Sequence, residues 1–200
     1  LEAVDGGSLE DITITNITMR NILNAPIFIR LGSRLRSPEG TQVGELQHIH
    51  ISNVVIDHAD SGTGCIISGI PGHDIKDVSI RDVRIIYKGG GTREDAARIP
   101  PDKENGYPEP SMFGMLPPYG FYIRHVQGID LNNIHLRYQQ EDMRPPFVWD
   151  DVQDAEFRYI KAPHAASVPT FVLKNVKAFR TMQCNELPDK TIAEAQDEVL

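Results

Sequence analysis

Arg124 and His125 stand side by side at the end of the apolar stretch YGFYIRHV (119–126). They put a permanent cation beside the side chain whose ordinary pKa lies closest to neutrality. Asp150 and Asp151 close a similar run, PFVWDD (146–151), and paired carboxylates can divide acid and base work between them. Arg30 closes PIFIR (26–30), with Arg34 and Arg36 just beyond. Guanidinium forks match carboxylates through paired hydrogen bonds, so Arg30, Arg34 and Arg124 are candidates for holding a carboxylate-bearing ligand. Tyr107, Tyr119 and Tyr122 could stack on a ring-shaped ligand, with Tyr122 the best placed.

Each of these residues also has a plainer reading. Loop arginines are often solvated charge. His125, one residue past Arg124 at a turn, suits a structural hydrogen bond better than proton transfer. Asp150 and Asp151 suit ion pairs with Arg124 or Arg144. DHAD (57–60) reads as a solvated turn, and Met112 with Phe113 as pins for the loop that carries them. Cys65 and Cys184 read as two free thiols, Cys65 as a buried one.

The whole chain narrows the function classes. A net charge of -8 over 200 residues argues against a nucleic-acid partner, which ordinarily meets a basic face. Local arginine clusters can still oppose the global sign. No apolar run approaches the roughly 18 residues of a membrane span, so no membrane insertion is expected. The chain opens on LEAVDGG, which reads as the middle of a strand. It therefore reads as a piece of a longer polypeptide, with any targeting segment upstream.

The elements that must position these side chains come from an internal repeat. LEDITITNITM (9–19) matches LQHIHISNVVI (46–56), IKDVSIRDVRI (75–85) and VQGIDLNNIHL (126–136), with a weaker copy in VQDAEFRYIKA (152–162). Alternation on either side of one Asn or Asp reads as two short strands joined at a sharp bend. The bend residues are Asn16, Asn53, Asp82, Asn133 and, in the weak copy, Tyr159. Asn and Asp tolerate the left-handed backbone of a one-residue corner, and stacked corners allow an Asn ladder.

One further run precedes each copy. Aligned, these runs give inward columns Ile27, Cys65, Phe121, Phe147, Phe171 and Leu1, Ile29, Ile67, Ile123, Trp149, Leu173. Period 2 sends Phe28, Ile66, Tyr122, Val148 and Val172 outward, followed by a polar column of Glu2, Arg30, Ser68, Arg124, Asp150 and Lys174. Three strands per repeat of about 24–29 residues predict an all-β parallel β-helix over 1–183. Insertions at 31–45 and 88–118 border the sheet with the polar column and would wall a cleft. A tail at 184–200 follows, with a short capping helix suggested by Ile192, Ala195 and Val199 on one face.

On the blocks LEDITITNITMRNILNAPIFIRLGSR, CIISGIPGH, GYPEPSMFG and YGFYIRHV, nearly the whole chain resembles family 28 of the glycoside hydrolases, the polygalacturonase-like pectinases, in a bacterial subgroup. The resemblance implies a right-handed β-helix and a pectin-type polysaccharide substrate, galacturonan or rhamnogalacturonan. It also implies inverting hydrolysis without a metal or other cofactor, and a periplasmic or secreted location. In that family the chemistry comes from an Asn-Thr-Asp segment and an Asp-Asp pair, with Gly-His-Gly and Arg-Ile-Lys on later coils. LEAVDGG aligns with the Arg-Ile-Lys coil, which puts Leu1 at the Ile position and Glu2 at the Lys position. The acid and base are then expected upstream of residue 1, with no catalytic residue and missing N-terminal coils in this fragment.

Two departures qualify the match. Glu2 reverses the charge of a Lys used on substrate carboxylates, which leaves room for another glycan or exo-type cleavage. GHD (72–74) stands in the wrong order for Gly-His-Gly, so His73 inherits no role. The candidate substrate contacts are Glu2, Arg30, Arg34, Tyr122, Arg124, His125 and Asp150. The competing readings are a non-catalytic glycan-binding or adhesin module and a pectate-lyase-like enzyme. The latter would need clustered acidic ligands for Ca²⁺.

Overall fold

The spacing of apolar residues within the repeat dictates how the chain turns. In the copy at 46–59 the residues that face inward are Leu46, Ile49, Ile51, Val54, Ile56 and Ala59, all buried, at intervals of three and two in alternation. Each interval of three contains one residue with positive φ: His48, Asn53 and His58. A left-handed residue bends the strand and lets the next apolar side chain point inward again. The same rule holds across the other copies, with Asp11, Asn16 and Asn21 in the first, Asp77 and Asp82 in the third, and Asn133 in the fourth.

A computed structural model describes residues 1–60, 62–185 and 187–200. Ten strands account for most of it: β1 (Glu2–Ala3), β2 (Ser8–Ile22), β3 (Phe28–Leu31), β4 (Glu45–Ala59), β5 (Cys65–Ser68), β6 (Ile75–Gly89), β7 (Phe121–Gln140), β8 (Phe147–Arg158), β9 (Phe171–Met182) and β10 (Lys190–Val199). Only Arg93–Ala96 and Pro110–Phe113 make short helical turns among the described residues. The strands follow the order β1-β3-β5-β7-β6-β4-β2, with β8 on β7 and β9 on β8, and the sheet does not close into a barrel. Every pairing among β1 to β9 is parallel.

The corner residues lie in register from strand to strand. Asn16, Asn53, Asp82, Asn133 and Tyr159 all have φ between 54° and 61°. Their side chains bond in pairs: Asn53 Nδ2 donates to Asn16 Oδ1 and Asn133 Nδ2 to Asp82 Oδ1, each at 2.6 Å. The expected ladder is therefore present as two separate rungs. A second corner column, Asp11, His48, Asp77, Gly128, Asp154 and Ala178, has mixed chemistry that hides it in the sequence.

Both inward columns hold their expected register, Cys65 against Phe121, Phe147 and Phe171, and Ile29 against Ile67, Ile123, Trp149 and Leu173. Phe121, Phe147 and Phe171 stack nearly parallel, with centroids 5.9 and 4.8 Å apart. Phe157 closes edge-on against Phe171 at 4.5 Å. Cys65 is buried in this core, and burial pushes its thiol up to about 12, as suits a packing residue. Both cysteines are free.

The tail departs from expectation. Residues 190–199 form β10, antiparallel to β9, and no helix. Ile192 and Ala195 are buried opposite Phe179 and Val176. Between those partners lies Ala178 at φ 52°, so the three-residue spacing belongs to a cornered strand. β10 thereby covers an edge that β9 would otherwise leave open. Replacing Phe171 by Ala removes the centre of the aromatic stack and should lower unfolding free energy by about 3–5 kcal/mol. Denaturant unfolding checks this, and a loss below about 1 kcal/mol would contradict the packing described.

Candidate functional site

The polar column forms as expected: Glu2 pairs with Arg30, Arg30 with Ser68, Ser68 with Arg124, Arg124 with Asp150 and Asp150 with Lys174. Its surroundings differ. The 88–118 insertion folds across the sheet, so the outward positions do not open onto a cleft. Phe113 and Leu116 pack with Ile66, Tyr122 and Val148 in a second apolar cluster. Tyr122 is 2% exposed, and burial raises its phenol pKa. It cannot offer a face to a sugar. Met112 and Phe113 do pin the loop, as expected.

Arg30 does not face a cleft either, being 1% exposed. Its Nη1 donates to Ser68 Oγ at 2.9 Å and to the Gly69 carbonyl at 3.0 Å. Its Nη2 donates to the carbonyls of Asp102 at 2.7 Å and Lys103 at 3.2 Å, and the guanidinium lies 5.3 Å from the Phe113 ring centre. Burial lowers its pKa to about 10. These four acceptors make Arg30 the anchor of the loop, with its donors turned away from solvent.

Arg124, His125 and Asp150 belong to the same anchorage. Asp102, which the sequence did not single out, sends its carboxylate between them. Arg124 Nη1 meets Asp102 Oδ1 at 2.7 Å and donates to the Pro100 carbonyl at 3.1 Å. Arg124 Nε lies 3.2 Å from Asp150 Oδ2, the pairing anticipated for that aspartate. His125, 6% exposed, has Nδ1 at 2.7 Å from Asp151 Oδ2 and Nε2 at 3.5 Å from Asp102 Oδ1. His125 and Asp151 occupy adjacent corners, at φ 51° and 57°, and their bond ties one repeat to the next. This is the structural role expected for His125.

One grouping here could accept a cation. Asp74, His125 and Asp151 bring one ligand atom each within 4.8 Å of one another. Burial, then the neighbouring Asp151, raises the Asp74 carboxyl pKa. His125 Nδ1 is the atom already engaged by Asp151, so an ion coordinated there would replace that hydrogen bond. Arg144, the other partner considered for the late aspartates, pairs instead with Asp142, both fully buried, at 2.8 Å.

The open site lies elsewhere on the same sheet. Glu2, Asp5, Arg34 and Tyr107 line a cavity of about 370 Å³ together with the backbone of 3–9. Tyr107 is 69% exposed, and the Arg34 guanidinium sits 5.4 Å from its ring centre. Arg34 donates through Nε to Asp5 Oδ1 at 2.9 Å and through Nη2 to Asp5 Oδ2, a two-pronged pair. The Arg36 amide also donates to Asp5 Oδ1, at 2.9 Å. The 31–45 insertion is drawn so close to Asp5–Gly7 that a Cβ on Gly44 would stand 1.7 Å from the Gly7 carbonyl oxygen. Thus both insertions do border a cavity, though with only Glu2 and Arg34 of the expected contacts, joined by Tyr107. Asp5 was missed; its place in LEAVDGG, three residues past Glu2, was the available signal.

The arrangement suits recognition of an oxygen-rich, ring-shaped ligand: an aromatic face, a guanidinium whose position is set by Asp5, and an exposed carboxylate in Glu2. It does not suit proton donation. The hydrogen bonds from Arg34, then the Arg36 amide, lower Asp5 to about 2. Comparisons with protein-family models, with characterised proteins and with solved structures found no match.

Two outcomes follow from this geometry. Asp102→Asn weakens the Arg124 contact while leaving the Arg30–carbonyl bonds, so limited proteolysis within 88–118 should quicken several-fold with the core intact. Unchanged cleavage would show that Asp102 does not hold the loop. In an NMR pH titration, the Asp5 carboxylate should titrate near 2. The Arg34 tie is thus complete above about pH 4 and lost as pH falls through about 2; a midpoint near 3.8 would contradict the pairing.

Proposed function

We propose that this chain is the C-terminal part of a polysaccharide-degrading glycoside hydrolase acting on pectin-type chains, galacturonan or rhamnogalacturonan. The chain would wind as a right-handed parallel β-helix, and the acid and base carboxylates would lie on preceding coils. The observation that carries this reading is the cavity formed by Glu2, Arg34 and Tyr107. A sugar ring can stack on Tyr107 while its carboxylate meets Arg34 Nη1, the nitrogen Asp5 does not engage, and Glu2 can accept from hydroxyls.

Two features support the coiled arrangement. Parallel strands that bend at registered left-handed corners have few ways to continue except by stacking repeats. The first repeat also leaves its apolar side half covered. Ile14, Ile17 and Met19 of β2 are only partly buried, whereas their register partners Ile51, Val54 and Ile56 of β4 are at most 4% exposed. A further parallel coil against β2 would complete that burial. The inverting reaction needs one carboxyl that donates a proton and one that activates water. Asp5, held ionised by Arg34, fits neither role, which agrees with a site that binds substrate while chemistry occurs alongside it.

The chain should bind oligogalacturonate, and Tyr107→Ala or Arg34→Ala should weaken binding at this cavity by about tenfold, roughly 1.4 kcal/mol. Calorimetry on the 200-residue chain checks the binding. A reducing-end assay of the full-length parent on galacturonan, rhamnogalacturonan and neutral glycans checks the reaction. Binding without new reducing ends would make the protein a non-catalytic glycan-binding module. Activity on neutral glycans alone would remove the role given to Arg34.

A further inference from the structure

On the stretch that follows the Asn corner, strand register sets Thr18, Val55, Arg84 and His135 side by side, and an isolated bridge extends the row to Lys161. Two residues on, Arg20 lies beside Asp57 and Arg137 beside Ile86. A cavity of about 430 Å³ opens between these rows, with Arg20, Arg84, His135 and Arg137 on its walls. Arg20, Arg84, Arg137 and Lys161 are exposed, and none has an ion-pair partner among the described residues. Among the described residues, the one carboxylate on the wall, Asp57, lies 2.9 Å from His58 Nδ1.

This grouping runs against the chain's habit elsewhere. The molecule carries 28 acidic and 20 basic side chains, and most charges opposite one another on its strands differ in sign, Asp130 against Glu156 being the acidic exception. Arg124 faces Asp150, Asp150 faces Lys174 and Glu156 faces Arg180. Arg84, His135 and Lys161 break the pattern. Basic groups in neighbouring positions on strands about 4.8 Å apart repel one another. The repulsion is visible at His135, whose pKa is lowered by burial and then by Lys161, Arg84 and Arg137. A row of mutually repelling cations is stabilised when an anion with several charges lies along it.

We propose that this face binds an acidic polysaccharide through its carboxylates, the sugar chain running across the strands along the row from Arg84 to Lys161. The choice of a uronate chain rests on the proposed function; the site is separate from the Tyr107 cavity. Carboxylates on an extended glycan meet guanidinium forks in pairs. Single-stranded nucleic acid, the other polyanion of comparable length, is ordinarily held on aromatic platforms, and no Phe, Tyr or Trp lines this cavity. In a longer enzyme such a face would hold one part of an acidic polymer while another part is processed.

The test uses calorimetry on the 200-residue chain with oligogalacturonate, its carboxyl-reduced neutral form and a single-stranded oligonucleotide, at low and moderate salt. The expected result is two classes of site for the uronate. R84E/R137E should abolish one class, and R84Q/R137Q should weaken it by at least tenfold, with unchanged circular dichroism. The class that survives Tyr107→Ala with Arg34→Ala should be the salt-sensitive one. Loss of all uronate binding on the Tyr107 and Arg34 changes, with none on the Arg84 and Arg137 changes, would overturn this inference and leave the proposed function standing. Binding removed only by R84E/R137E would support the inference and sink the Tyr107 cavity. Equal affinity for the oligonucleotide or the reduced glycan would overturn it as well, and absence of any uronate binding would overturn both.

Discussion

The structure depends on one constraint: the left-handed corner residues must stay in register from repeat to repeat. A corner displaced by one residue would turn the apolar column of its strand out of the core, because side chains alternate along a strand. Asn, Asp, His and Gly fill most of these corners because they tolerate positive φ with least strain. The Asn53–Asn16 and Asn133–Asp82 hydrogen bonds add a direct tie between corners, and His125–Asp151 adds another at a different corner of the repeat. Once the corners align, the Phe121–Phe147–Phe171 stack follows from strand register alone.

The 88–118 insertion changes what that framework displays. Placing Phe113 and Leu116 over Tyr122 and Ile66 removes apolar surface from water, but it also takes Arg30 and most of Arg124 out of solvent. A buried guanidinium is destabilising unless its donors are satisfied. The loop meets that need from its own backbone, through the carbonyls of Pro100, Asp102 and Lys103, and from the Asp102 carboxylate. Residues that look like subsite cations in the sequence are thus the fastenings of a lid-shaped loop. The open cavity, and the site proposed for recognition, is the one where Arg34, drawn in by Asp5, stands over the exposed ring of Tyr107.

Much of the fold was legible in the sequence because its rules are local. The Asn column marks one corner per repeat, and period-2 alternation assigned Ile27, Cys65, Phe121, Phe147 and Phe171 to the core correctly. Alternation tells which side of a strand a residue faces, but not what covers that side, so the sequence cannot show that Tyr122 and Arg30 are buried. The tail shows a different limit. Corners impose a three-residue interval on inward side chains, and in Ile192 and Ala195 that interval imitates helical spacing; only the pairing with Phe179 and Val176 distinguishes the two. The Arg84–His135–Lys161 row is legible once the outward positions after the Asn corner are aligned, because they repeat with the same period as those of the preceding strand. Asp102 could not, since nothing in a proline-rich loop sequence says which acid will reach Arg124.

The central claim is that an acidic sugar meets Arg34 and Tyr107, while Arg30, Tyr122, Arg124 and His125 serve the fold. NMR chemical-shift mapping of the 200-residue chain during titration with oligogalacturonate tests it most directly. The account predicts shifts at Glu2, Arg34 and Tyr107 that saturate together, with Tyr122, Arg124 and His125 unmoved. Saturable shifts centred on Tyr122, Arg124 and His125, with Tyr107 silent, would contradict it.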